Sequence, residues 1–173
     1  GAEQTIGNFQ ANAGTLVFFD AQIGQGALRI YDPSNELVPQ VLGGSNGLTA
    51  NLNSDSFIVL PRSGQYTVKV ETEGDYAFRL QSAENAPLFT YGQDITGSLS
   101  ARDISDLYRF TVAAGQTVRF DHTAGGSDVN YTFFLPNGSR DFGFGLFAPS
   151  TSPTILSIPG IYYVAVSRLT DPG

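Results

Sequence analysis

Polar and apolar residues alternate along short runs of this chain. Gln65-Tyr66-Thr67-Val68-Lys69-Val70 is the clearest. Its period of two is that of a strand with one buried face, and Tyr66, Val68 and Val70 are the predicted inward set. Thr117-Val118-Arg119-Phe120 alternates in the same way, and Leu28 and Ile30 share one face of 27–31. Further strands are predicted on either side of Ala13-Gly14 within 5–20, and at 36–42, 56–60, 76–80, 94–99, 106–112, 129–135, 154–158 and 162–166. Turn residues separate them. Pro presets φ in Asp32-Pro33-Ser34-Asn35 and Pro136-Asn137-Gly138, while Asp and Asn can bond back to the chain. Gly43 to Asn53 reads as a polar, Gly-rich loop. No block of Ala, Leu, Glu and Lys carries a helical period, so the predicted class is all-β.

The pattern repeats. Thr5-Ile-Gly-Asn-Phe-Gln-Ala-Asn-Ala-Gly-Thr-Leu-Val-Phe-Phe-Asp20 returns as Asp106-Leu-Tyr-Arg-Phe-Thr-Val-Ala-Ala-Gly-Gln-Thr-Val-Arg-Phe-Asp121. Phe9 and Phe110, Gly14 and Gly115, and Asp20 and Asp121 each stand 101 residues apart. Pro33 and Pro136 are 103 apart, and Tyr66 and Tyr162 are 96 apart, as loop deletions would produce. The strand at 154–158 ends at Pro159 as Leu60 ends at Pro61. Two tandem antiparallel β-sandwich modules, related by a repeat of about 100 residues, are therefore expected at 1–84 and 85–173. The boundary falls at Ala83-Glu-Asn-Ala-Pro87, after which Leu88 to Tyr91 leads into the second copy. Neither copy looks complete. The predicted strand 94–99 has no counterpart before residue 5, so the first module lacks its first strand. The strand 76–80 has none after Gly173, so the second lacks its last. A sandwich short of a strand exposes a sheet edge. Either the chain as given stops short of the module ends, or a neighbouring chain or segment supplies the strand.

Hydrophobic residues make up 41% of the 173, enough for a core, and only 14% are charged. A net charge of −7 with hardly any lysine argues against nucleic acid, since phosphate binding needs clustered cations. No apolar run approaches the roughly 20 residues of a spanning helix. Cysteine is absent, so neither disulfides nor thiol chemistry is expected.

The repeat resembles the bacterial pre-peptidase C-terminal (PPC) type of module. The resemblance is carried by Asp106-Leu-Tyr-Arg-Phe, the Val-Ala-Ala-Gly turn at 112–115, Ile30-Tyr31-Asp32-Pro33, and the closing phrase Pro61 to Val70, shortened at Pro159 to Val166. It covers nearly the whole chain as two modules. It implies a jelly-roll-like sandwich, secreted or at the cell surface. Such modules are repeated in large bacterial surface proteins or appended to secreted proteases. The first copy departs from the motif, with Thr5 and Gly7 where the second has Asp106 and Tyr108.

Few residues carry chemistry. Gly43-Gly44-Ser45-Asn46-Gly47 fits G-x-S-x-G, but that motif needs a strand-to-helix elbow and no helix is expected to follow. His122 is the single histidine and reads as a loop residue, so no enzyme is expected. Asp94, Asp103 and Asp106 are candidate oxygen ligands for calcium, the one candidate cofactor. The resemblance implies the same place, because some related modules bind calcium ahead of their first strand. The competing reading is that Asp103 and Asp106 bond to turn amides. Phe142, Phe144 and Phe147 with Tyr131 could stack on sugar or line a groove, although aromatics alternating with Gly more often fill a core beside a bulge. Asn130 and Asn137 match the glycosylation acceptor pattern. The expected role is a non-catalytic structural, assembly or adhesion module of a bacterial surface protein or filament. Its partners would be other copies or neighbouring modules that pair through open edges. The alternative is a module that binds polysaccharide or matrix protein for a secreted enzyme or adhesin.

Overall fold

The computed structural model describes residues 1–39, 47–99, 104–122, 129–144 and 152–168, with backbone alone at 142–144. The chain divides into two compact units, Gly1–Asn85 and Ala86–Gly173. The described residues are all-β, with antiparallel strand pairing and one helical turn, the 3-10 segment Ala83–Asn85.

The first unit contains β1 (Gln4–Ala11), β2 (Leu16–Ile23), β3 (Ala27–Tyr31), β4 (Ala50–Asn51), β5 (Ser56–Val59), β6 (Gly64–Glu71) and β7 (Ala77–Ser82). One sheet runs β1-β6-β3-β4 and the other β5-β2-β7. β6 is central, with Phe9 opposite Tyr66 on one side and Ile30 opposite Val68 on the other. Its predicted inward set holds: Tyr66, Val68 and Val70 are all buried. They share one core cluster with Val17, Phe19 and Ile58 of the other sheet and with Leu60 just beyond β5. Thr49, fully buried, ties the loop to β3: its Oγ1 accepts from the Ile30 N–H and donates to the Val38 carbonyl, both at 2.8 Å.

The second unit contains β8 (Asp106–Val112), β9 (Gln116–Val118), β10 (Val129–Phe134), β11 (Arg140–Phe144), β12 (Thr154–Leu156) and β13 (Gly160–Arg168). Its sheets run β11-β10-β13-β8 and β12-β9. Phe110, Val112, Val118, Phe133, Leu156, Tyr162 and Val164 form its core.

The two units use the same turn chemistry. The turn 32–35 closes with Asn35 N–H on the Asp32 carbonyl at 2.8 Å, and Gly138 N–H bonds Leu135 at 2.8 Å. Asn35 and Gly138 both take positive φ, 60° and 82°. Gly64 and Gly160, each at φ 140°, lie where a Cβ would meet the ring of Pro33 or Pro136, at 2.7 and 2.8 Å. Only glycine fits there. The Tyr66 hydroxyl accepts from Arg62 N–H at 2.9 Å, and the Tyr162 hydroxyl bonds the Ile158 backbone, four residues back in both cases.

Several sequence expectations change, among them the strand read over 117–120, which ends at Val118. Residues 94–99 are not a strand: Ile95 is exposed, and Thr, Gly and Ser around it offer no buried face. Residues 36–39 give only a bridge from Leu37 to Tyr31, and 40–42 lie outside the described residues. The last strand of the first unit is 77–82 rather than 76–80, because Tyr76 sits at the surface stacked on Phe78. The strand expected at 154–158 stops at Leu156, whose carbonyl accepts from Gly115 N–H as Leu60 accepts from Gly14. That pairing aligns Leu60 with Leu156 and Pro61 with Ser157, not with Pro159.

Candidate functional site: sheet edges and a polar cleft

The outermost strand of a sheet offers unpaired backbone groups. In the second unit the edge strand β8 is lined by the lead-in segment. Arg109 N–H donates to the Pro87 carbonyl at 2.9 Å, and its carbonyl accepts from Phe89 N–H at 3.0 Å. Leu88 and Arg109 form a parallel bridge. The Arg109 Nε clasps the Ala86 carbonyl at 2.8 Å. The Phe89 ring lies 5.2 Å from Phe110, and the Tyr91 hydroxyl donates to the Thr111 carbonyl at 2.8 Å. Partial burial raises the Tyr91 hydroxyl above its ordinary pKa. In the first unit the corresponding edge strand is β1, and among the described residues no segment lies along its outer side.

The second sheets differ in the opposite sense. β2 is flanked by β5 and β7, whereas β9 pairs only with β12 among the described residues. Asp20, opposite Arg79 on β7, is fully buried and pairs with that guanidinium at 3.1 Å. It also accepts from Gln22 Nε2 at 3.1 Å. Asp121 is exposed and bonds its neighbour Arg119 at 2.8 and 3.0 Å.

One open cleft of about 740 Å³ lies in the first unit. Gly24 and Gly26 line it, and Gln25, Asn53, Glu71 and Thr72 supply polar groups. These groups are largely paired with one another or nearby: Asn53 with Gln25, Thr72 with the Gln25 carbonyl, and Glu71 with Arg29 at 2.6 Å. Nearby, Glu3 bridges the surfaces of β3 and β6 through Tyr31 and Lys69. The Lys69 hydrogen bond is the largest of the effects that hold its carboxyl below the usual value.

Of the residues singled out from sequence, the structure brings Tyr131 and Phe144 opposite one another on paired strands. Tyr131 on β10 is half-buried against the second core, edge-on to the His122 ring at 5.5 Å. Burial pushes its hydroxyl pKa up. Phe142 and Phe144 lie on β11, where Phe144 is opposite Tyr131 beside a register shift in β10. Phe147 lies outside the described residues. Asp94 is exposed on the irregular lead-in, Asp106 opens β8 opposite Val166, and Asp103 lies outside the described residues. No group of three acidic, His or Cys side chains gathers among the described residues. Gly43, Gly44, Ser45 and Asn46 lie outside them. Asn130 bonds Thr132 within β10, and Asn137 caps its own turn through Ser139. Sequence reasoning missed Pro87, Phe89 and Tyr91. The signal was an apolar run directly after a boundary proline, the form of an edge segment whose first residue cannot donate.

No helix among the described residues is long and apolar enough to cross a membrane. Compared with known proteins, the chain matches no protein-family model and no curated protein.

Proposed function

We propose that this chain is a non-catalytic structural and assembly unit of an extracellular bacterial surface protein or filament. In this reading it is two tandem copies of one PPC-like, jelly-roll-like module, and it acts through its sheet edges. One observation carries the proposal. The two units share the order β1-β6-β3-β4 and β8-β13-β10-β11, yet among the described residues a segment lines β8 and none lines β1, while β7 flanks β2 and no such strand flanks β9. The matched turns at Gly14 and Gly115, Asn35 and Gly138, and Gly64 and Gly160 support the repeat. Strand addition at such edges supplies affinity through main-chain hydrogen bonds. A low charge density and a net charge of −7 agree with a module that meets other protein surfaces rather than nucleic acid.

Light scattering on the purified chain across a concentration series, with and without a chelator, tests the reading. Assembly that persists in chelator supports edge pairing. A monomer at every concentration overturns self-assembly. Dissociation by chelator alone moves the role to calcium held near Asp94, Asp103 and Asp106.

A further inference from the structure

We propose that the outer edge of β1 at Asn8–Gln10 is a docking strip for an extended Pro-Leu-Phe segment lying parallel to the strand. This deepens the edge-pairing reading and rests on it. The occupant is defined by the second unit, where the same strip is filled. Phe9 opposes Tyr66 as Phe110 opposes Tyr162, so Asn8 takes the place of Arg109 and Gln10 that of Thr111. Phe9 packs against the first core and Phe110 lies within the second. In a strand, the face a side chain takes fixes the edge to which its backbone groups point. Asn8 therefore directs its N–H and C=O outward, as Arg109 directs its own to Pro87 and Phe89. Asn8 and Gln10 are exposed.

The strip also has a place for the aromatic ring. Phe110 is buried with Phe89 against it, whereas Phe9, stacked on Tyr66 at 5.4 Å, stays partly exposed. Beside Phe9 stands Gly7, at the position Tyr108 holds in the second unit, and a Cβ added there would meet nothing within 4 Å. The open space at Gly7 and the partly exposed Phe9 ring flank Asn8, whose backbone groups face outward. A segment with proline first fits, because Pro87 contributes only its carbonyl to the pairing. An aromatic two residues later would reach Phe9, and a hydroxyl two further on would reach the Gln10 carbonyl, as Tyr91 reaches Thr111.

The test is an amide-resolved NMR titration of the full 173-residue chain with a capped peptide of residues 85–92. The expected result is saturable shifts at Asn8 and Gln10 at up to millimolar peptide, with Arg109 and Thr111 unmoved. Asn8→Pro removes the outward N–H at a position where an edge strand tolerates proline, and should weaken binding at least tenfold while the fold signature stays. Should that variant fold poorly, the peptide methylated on its Phe89 nitrogen must lose binding to the unchanged protein to a similar degree. A peptide with Phe89→Ala should bind about three- to tenfold more weakly, the range expected for one aromatic pair. Absence of shifts at Asn8, or shifts at Arg109 instead, overturns the proposal. If the peptide fails while light scattering still shows assembly, the docking strip is wrong and the assembly reading stands. If the peptide binds a strictly monomeric chain, the strip stands and self-assembly fails.

Discussion

Like residues keep different company in the two units. Phe19 is fully buried between β5 and β7, whereas Phe120 is only half-buried after β9. Asp20 and Asp121 follow those rings, yet one carboxylate is sealed under an arginine from β7 and the other stays in water. A carboxylate tolerates burial only where a partner and hydrogen bonds compensate its lost hydration. The arginine that β7 brings therefore sets the environment of Asp20, whereas Asp121 is held by an arginine of its own segment. The other edge teaches the converse: Phe110 is buried with Phe89 as well as Phe120, Phe133 and Tyr162 on its ring, whereas Phe9, stacked on Tyr66, stays partly exposed.

The largest expected effect is on the matched phenylalanines. Phe19→Ala should cost about 3–5 kcal/mol, the usual range for a buried ring, and Phe120→Ala about half of that, read from urea denaturation. Equal losses would mean that Phe120 is as well covered as Phe19. Next come the two glycines set against prolines. Gly64→Ala and Gly160→Ala should each cost about 2–4 kcal/mol, combining a φ that L-residues avoid with a Cβ–ring clash. A tolerated Gly160→Ala beside a damaging Gly64→Ala would break the correspondence between the units.

Asp20→Ala should cost about 2–3 kcal/mol, because it removes a buried, hydrogen-bonded charge partner. Asp121→Ala should change stability by less than about 0.5 kcal/mol, as exposed pairs do. The ratio, measured in thermal melts, reports whether β7 makes the difference.

The smallest effect is a pH slope confined to the first unit. Burial pushes the Asp32 carboxyl up, but the N–H groups of Glu36 and Ser34 and the Arg62 guanidinium outweigh it, so its pKa lies below the ordinary value. Its stabilising contribution is therefore present above the unfolded value of about 3.9 and is lost as pH falls through the lower folded value. Asp32→Asn should flatten that part of the acid denaturation curve. The second unit has Leu135 at this turn position and should show no such slope, as amide exchange resolved by unit would reveal.

Much of the fold was legible because period-two alternation reports directly on a half-buried strand, as at Gln65–Val70, and because turns demand particular residues, as at Pro33 and Pro136. The edges were less legible. Residues 94–99 look strand-like locally but have no buried face, while Pro87-Leu88-Phe89 looks like a linker and pairs with β8. Pairing partners are chosen by groups distant in sequence, and a local pattern carries no record of them.

The sequence by itself determined the all-β class, the inward faces of β3 and β6, and the turns that only Gly, Pro, Asn or Asp can make. These depend on each residue's own φ preference and on which side of its strand it falls. Only the tertiary structure decided which edge each unit covers, whether an aspartate is buried, and that Phe9 keeps an open side while Phe110 does not. Those depend on which strand arrives alongside, and main-chain hydrogen bonds accept any strand whose side chains fit.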